Sequence, residues 1–172
     1  ALHGSWLHLL TNALMIVFLS ASLQVIFAGR VCLRVFLLGC IGGGICHALL
    51  GGSNDILVGA SGGAMGLLLF LCTLSPQSRM LPVFLSAGNV GLGVMISSLL
   101  LTLLNPALHI PGISYLSSLL EPQWQKELFS VGHACHLGGC IAGWLSARWV
   151  LRRRVTLAQL QQQRRKREAG NH

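Results

Sequence analysis

The chain reads as long apolar runs separated by short polar ones. Around residues 7–28, 31–52, 56–74, 80–104 and 128–150 the apolar side chains continue for about twenty residues with scarcely a charge, the length a helix needs to cross the hydrocarbon of a bilayer. These runs show neither the alternation of a half-buried strand nor the one-sided stripe of a water-facing helix. The pattern predicts five transmembrane helices that are apolar all round. The second begins least cleanly, because Arg34 lies near its start, where a long side chain can snorkel to the interface. The first is too long for the apolar core of a signal peptide and lacks a basic flank.

Composition agrees with the pattern. Of 172 residues, 53% are hydrophobic and only 9% charged, against about 25% charged in ordinary soluble domains, which excludes a water-soluble globular domain. Six cysteines (32, 40, 46, 72, 135 and 140) lie inside the apolar runs without a C-x-x-C pair, and are read as small core residues.

Charge then orients the bundle. Arg30, Arg34, Arg79, Arg148, Arg152, Arg153, Arg154, Arg164, Arg165, Lys166 and Arg167 fall at alternate junctions that must share one side, and of the twelve basic residues only Lys126 falls opposite. By the positive-inside rule the basic side is cytoplasmic, so Asp55, Glu121 and Glu127 face outward. Trp6 and Trp124 at the outer boundary and Trp149 at the inner one fit interfacial anchoring. Residues 1–150 therefore form the membrane unit and residues 151–172 a basic cytoplasmic tail suited to anionic lipid. The net charge of +8 calls for no nucleic acid partner. The outer connection, residues 105–130, is long, contains Pro106, Pro111 and Pro122, and is too apolar for a disordered loop. It is expected to lie on or dip into the outer leaflet.

Polar groups inside apolar runs are functional candidates by default. No Asp or Glu lies within a run, which excludes aspartyl-type intramembrane proteolysis and carboxylate proton relays. What remains is His8 and Asn12 in the first run, His47 in the second, Ser61 in the third, and His133 and His136 in the fifth. His8 and Asn12 are four apart and share a helical face. The first, third and fifth runs enter from the same side, and Ser61, His8 and His136 all come early in them, so they reach similar depth at about 1.5 Å per residue. Gly62 and Gly66 form G-x-x-x-G, as do Gly139 and Gly143, and such motifs let helix backbones approach closely. A serine brought beside a neutral histidine has a base for its proton. The backbone N–H of Ser61, with His8 and Asn12, would supply oxyanion donors. His133 and His136 flank Cys135 but lack the further ligands that a metal needs, and no cofactor is called for. His47 is read as a packing residue.

Three stretches, "HGSWLHLLTN", "GASG" and "CHLGGCIAG", resemble the signatures of the rhomboid intramembrane serine proteases, H-x-x-x-x-H-x-x-x-N, G-x-S-G and A-H-x-x-G-x-x-x-G, in the family's order. The resemblance implies an all-α polytopic membrane protein, a rhomboid-like helical bundle with five of the family's six core transmembrane helices present. It implies Ser61 as nucleophile and His136 as general base, with His8, Asn12 and the Ser61 backbone forming the oxyanion site. Gly59 and Gly62 match the serine motif, and Gly139 and Gly143 the positions of close helix contact. The outer connection becomes a cap over a water-filled cavity, and the substrates become the transmembrane segments of membrane proteins, cut near their outer ends. The expected location is the plasma (inner) membrane, with the site opening outward. The alternative is a catalytically inactive rhomboid-like protein that binds transmembrane segments. Three departures stand out. A span and outer loop that precede the first motif in the family are missing, as in a fragment. Met65 replaces a frequent aromatic, and Cys135 a usual alanine.

Overall fold

The computed structural model describes residues 6–51, 60–80, 84–129 and 132–152. His3, Asp55, Gly59 and the tail beyond Arg152 lie outside the described residues, as do the side chains of Lys126 and Glu127. Seven helices make up the described chain: α1 (Trp6–Gln24), α2 (Gly29–Leu50), α3 (Ser61–Leu74), α4 (Ala87–Leu103), α5 (Ile113–Ser118), α6 (Pro122–Phe129) and α7 (His133–Arg152). A two-residue antiparallel pair, β1 (Arg79–Met80) with β2 (Leu85–Ser86), joins α3 to α4. The fold is the all-α bundle that the apolar runs imply.

Local chemistry sets the boundaries. Helix α2 stops where the Gly51 N–H turns back 2.6 Å to the His47 carbonyl. Helix α3 ends at Leu74, because Pro76 keeps the residue before it out of helical geometry. Ser86 caps α4 by accepting the Asn89 N–H at 3.4 Å. Asn105 accepts the Ala107 N–H at 3.0 Å to open a 3₁₀ turn, Pro106–Leu108, with proline at its first position.

Helix α3 is the centre. Ten of its fourteen residues are buried, and it packs on α1, α2, α4 and α7. Leu67, Leu69, Phe70 and Cys72 join Leu23 of α1, Val35 of α2, Ala87 of α4, and Cys140 and Ala147 of α7 in one core. Phe27 meets Phe70 edge to face at 5.6 Å. By contrast α1 buries only Asn12, Leu19 and Leu23, and turns Leu10, Val17 and Phe18 outward. Helix α2 likewise exposes Leu37, Ile41 and Ile45. Such faces are stable against hydrocarbon rather than water. Hydroxyls on the helices fold back onto their own carbonyls, as Thr11 does to Leu7 and Thr102 to Ser98, which satisfies them where water is absent.

Two expected boundaries are corrected. The fourth run was expected to be helical from residue 80, yet the helix starts at Ala87, after the β1–β2 pair. Pro82 within that stretch cannot sit inside a helix, and the cap at Ser86 provides the new start. The fifth run, expected from residue 128, becomes the helix α7 only at His133, while Leu128 and Phe129 end the short helix α6 that Pro122 opens. The outer connection is thus largely helical, with Tyr115, Leu116, Leu119 and Trp124 exposed. By length and apolarity, α1 and α2 are the two described helices that can cross a membrane, while α3 and α4 are shorter apolar helices. At about 1.5 Å per residue, fourteen residues give α3 a length of about 21 Å. Enclosed by its neighbours, it need not span by itself.

Candidate active site

The N-terminal ends of α1, α3 and α7 converge. Ser61 is the first residue of α3, buried, and preceded by Ala60, which has no side chain to cap with. The first hydrogen bond of the helix is Ala64 N–H to the Ala60 carbonyl, 3.1 Å. The N–H groups of Ser61, Gly62 and Gly63 therefore have no acceptor within the helix, where the helix dipole also favours negative charge. Sulfur lies close to two of these residues, Cys135 of α7 beside Gly62 and Cys40 of α2 beside Gly63.

His136 lies in the first turn of α7, its N–H bonded to the Gly132 carbonyl at 3.1 Å. Its ring stands at 84° to that of His133, centroids 6.2 Å apart, and His8 of α1 is within electrostatic reach. The Nε2 of His133 is 2.8 Å from the Leu128 carbonyl. A carbonyl only accepts, so that nitrogen donates, and Nδ1 is the bare nitrogen of the neutral ring. The Ser61 hydroxyl lies beside the Cys135 thiol, one residue before His136. Among the described residues no hydrogen bond joins Ser61 to His136, as is common before a substrate aligns such a pair.

Asn12, one turn beyond His8, is 95% buried, and its Nδ2 has no hydrogen-bond partner among the described residues. A buried amide left so costs about 1–3 kcal/mol. An arriving oxyanion would satisfy it. Among the described residues, no three of His, Cys, Asp and Glu gather in a way that could hold a metal ion.

Backbone contact fixes the arrangement. A Cβ on Gly139 would strike the Gly62 carbonyl oxygen, and one on Gly143 the Gly66 carbonyl oxygen. The two G-x-x-x-G motifs thus face each other in register. Sequence reasoning missed the third partner, α2. A Cβ on Gly39 would lie 2.8 Å from the Gly62 oxygen, and one on Gly43 2.8 Å from the Cys135 oxygen and sulfur. The signal was present, since Gly39 and Gly43 are themselves four apart. Gly42 also opposes Gly138, so three helices meet through glycine. Met65, half-buried, packs against the core.

Searches of curated proteins and of solved structures find no match. A family model, the Rhomboid domain, matches residues 1–153, and the chain therefore belongs to the rhomboid family, integral membrane proteins that are generally intramembrane serine proteases.

Proposed function

We propose that this chain is an intramembrane serine endopeptidase that cuts the transmembrane segments of membrane proteins. The observation that carries the reading is the meeting of Ser61 at an uncapped helix start with α7, which bears His136, while the buried Asn12 amide waits for an acceptor. The Ser61 oxygen attacks the scissile carbonyl carbon as His136 takes the hydroxyl proton. Negative charge on the carbonyl oxygen is met by the Ser61 N–H, the Asn12 amide and His8. His136 then gives its proton to the departing amine, leaving an acyl-enzyme on Ser61. Water, deprotonated by the same imidazole, releases the acid and restores the serine. With no carboxylate in the described part of the site, the pair works as a dyad. The site opens to the outer side of the plasma (inner) membrane, with the 105–129 segment above it and the tail in the cytoplasm.

One observation favours the inactive alternative, in which transmembrane segments are bound and not cut: the His136 ring packs against His133, and among the described residues no hydrogen bond joins it to Ser61. Cleavage of a reporter transmembrane substrate decides between them. Activity is expected in the native chain and its loss in both Ser61→Ala and His136→Ala. Cleavage that persists in Ser61→Ala would sink the mechanism, and binding without cleavage by the native chain would establish the alternative.

A further inference from the structure

At the far end of α3 from Ser61, a cleft of about 260 Å³ runs between Leu69, Cys72 and Thr73 of α3, Leu92 and Met95 of α4, and Trp144 of α7. Leu92 and Trp144 are exposed along it, so it opens sideways to the bilayer. An apolar void in that setting forfeits dispersion contacts along its whole wall unless hydrocarbon fills it. In a bilayer the hydrocarbon next to such an opening is a lipid acyl chain.

The mouth of the cleft is cationic. The Arg148 guanidinium lies over the Trp144 ring, 6.0 Å from its centroid, and so sits directly against the wall of the cleft. Arg79 follows Pro76, another lining residue, and precedes Met80, whose sulfur lies 3.7 Å from that of Cys72. Both arginines are exposed. None of α3, β1, β2, α4 and α7 contains an Asp or Glu, so the elements that build the cleft supply no internal counter-charge. We infer that the cleft binds one acyl chain of an anionic phospholipid, with the headgroup phosphate held by Arg148 and Arg79. The site is independent of the chemistry at Ser61.

Brominated acyl chains quench tryptophan on contact, and Trp144 is a built-in reporter. The full chain, with Trp6, Trp124 and Trp149 replaced by phenylalanine, is reconstituted in phosphatidylcholine vesicles containing brominated phosphatidylglycerol or brominated phosphatidylcholine. Phosphatidylglycerol is expected to be preferred at Trp144 by about thirtyfold, the product of the roughly fivefold factors that each of two basic residues near the surface contributes. The preference should fall in Arg148→Gln and vanish in Arg148→Gln with Arg79→Gln. A second reporter keeps Trp149 as its one tryptophan and should show no such preference. Equal quenching by the two lipids at Trp144 would overturn the inference, as would a preference that survives the double arginine substitution. The same preference at Trp149 would also overturn it, by assigning the effect to general enrichment of anionic lipid at the basic rim.

Discussion

In its first turns α3 lies backbone against backbone with α2 and α7, Gly62 facing Gly139 and Gly66 facing Gly143. Two turns further on, α3, α4 and α7 leave between them a cleft bordered by side chains. The difference lies in what each end has to hold. A nucleophile and its base, the roles proposed for Ser61 and His136, must be fixed to within fractions of an ångström, and glycine contacts leave no side chain between the two backbones to relax. The other end carries no reacting group and tolerates a gap.

Adding one methyl group separates the two ends most sharply. In Gly139→Ala the new carbon meets the Gly62 backbone, which has no flexible atom to move aside. A destabilisation of about 3 kcal/mol is expected, at the upper end of overpacking costs, with loss of cleavage. Denaturant unfolding in detergent reads it. Next in size is Asn12→Ala, which should lower turnover by about 100-fold if Asn12 donates to the oxyanion. Its unfolding midpoint should shift far less than that of Gly139→Ala, because the Nδ2 group has no described partner to lose. At the cleft end, a Cβ on Gly91 would come within 2.8 Å of the Cys72 Cβ, which is tied to the α3 backbone, so α3 and α4 must shift slightly apart. Gly91→Ala should cost about 2 kcal/mol and leave cleavage in place. The smallest effect belongs to Gly44→Ala, where nothing lies within 4 Å. Relief of the helix penalty of glycine should raise stability by about 0.5 kcal/mol. Equal losses in Gly139→Ala and Gly44→Ala would dissolve the contrast.

Much of this was legible in the sequence, and the failures have a common cause. The pairing of α3 with α7 follows from two glycine motifs, because small residues at every fourth position leave a groove that only another backbone fills. Ser61 and His136 were singled out by motif spacing, and the structure puts both in the first turns of helices that pack on each other. Hydropathy could not tell that Met80 and Leu85 lie outside the helix, since they are as apolar in the β1–β2 pair as in a span. Only Pro82 and Ser86 marked the break. The part played by α2 went unread because its glycines accompany no candidate catalytic group. The resting position of the Ser61 hydroxyl beside Cys135 is a matter of side-chain packing among three helices, which no linear pattern encodes.

The sulfurs turned toward the start of α3 bear on how the protein can be handled. Site-directed spin or fluorophore labelling usually begins by removing every native cysteine. Here the Cys40 and Cys135 sulfurs pack against Gly63 and Gly62, so that step would disturb the helix end that carries Ser61. A labelling background that keeps those two and replaces Cys32, on the far stretch of α2, is the safer start, and the buried Cys135 then becomes an internal gauge of whether the site is intact.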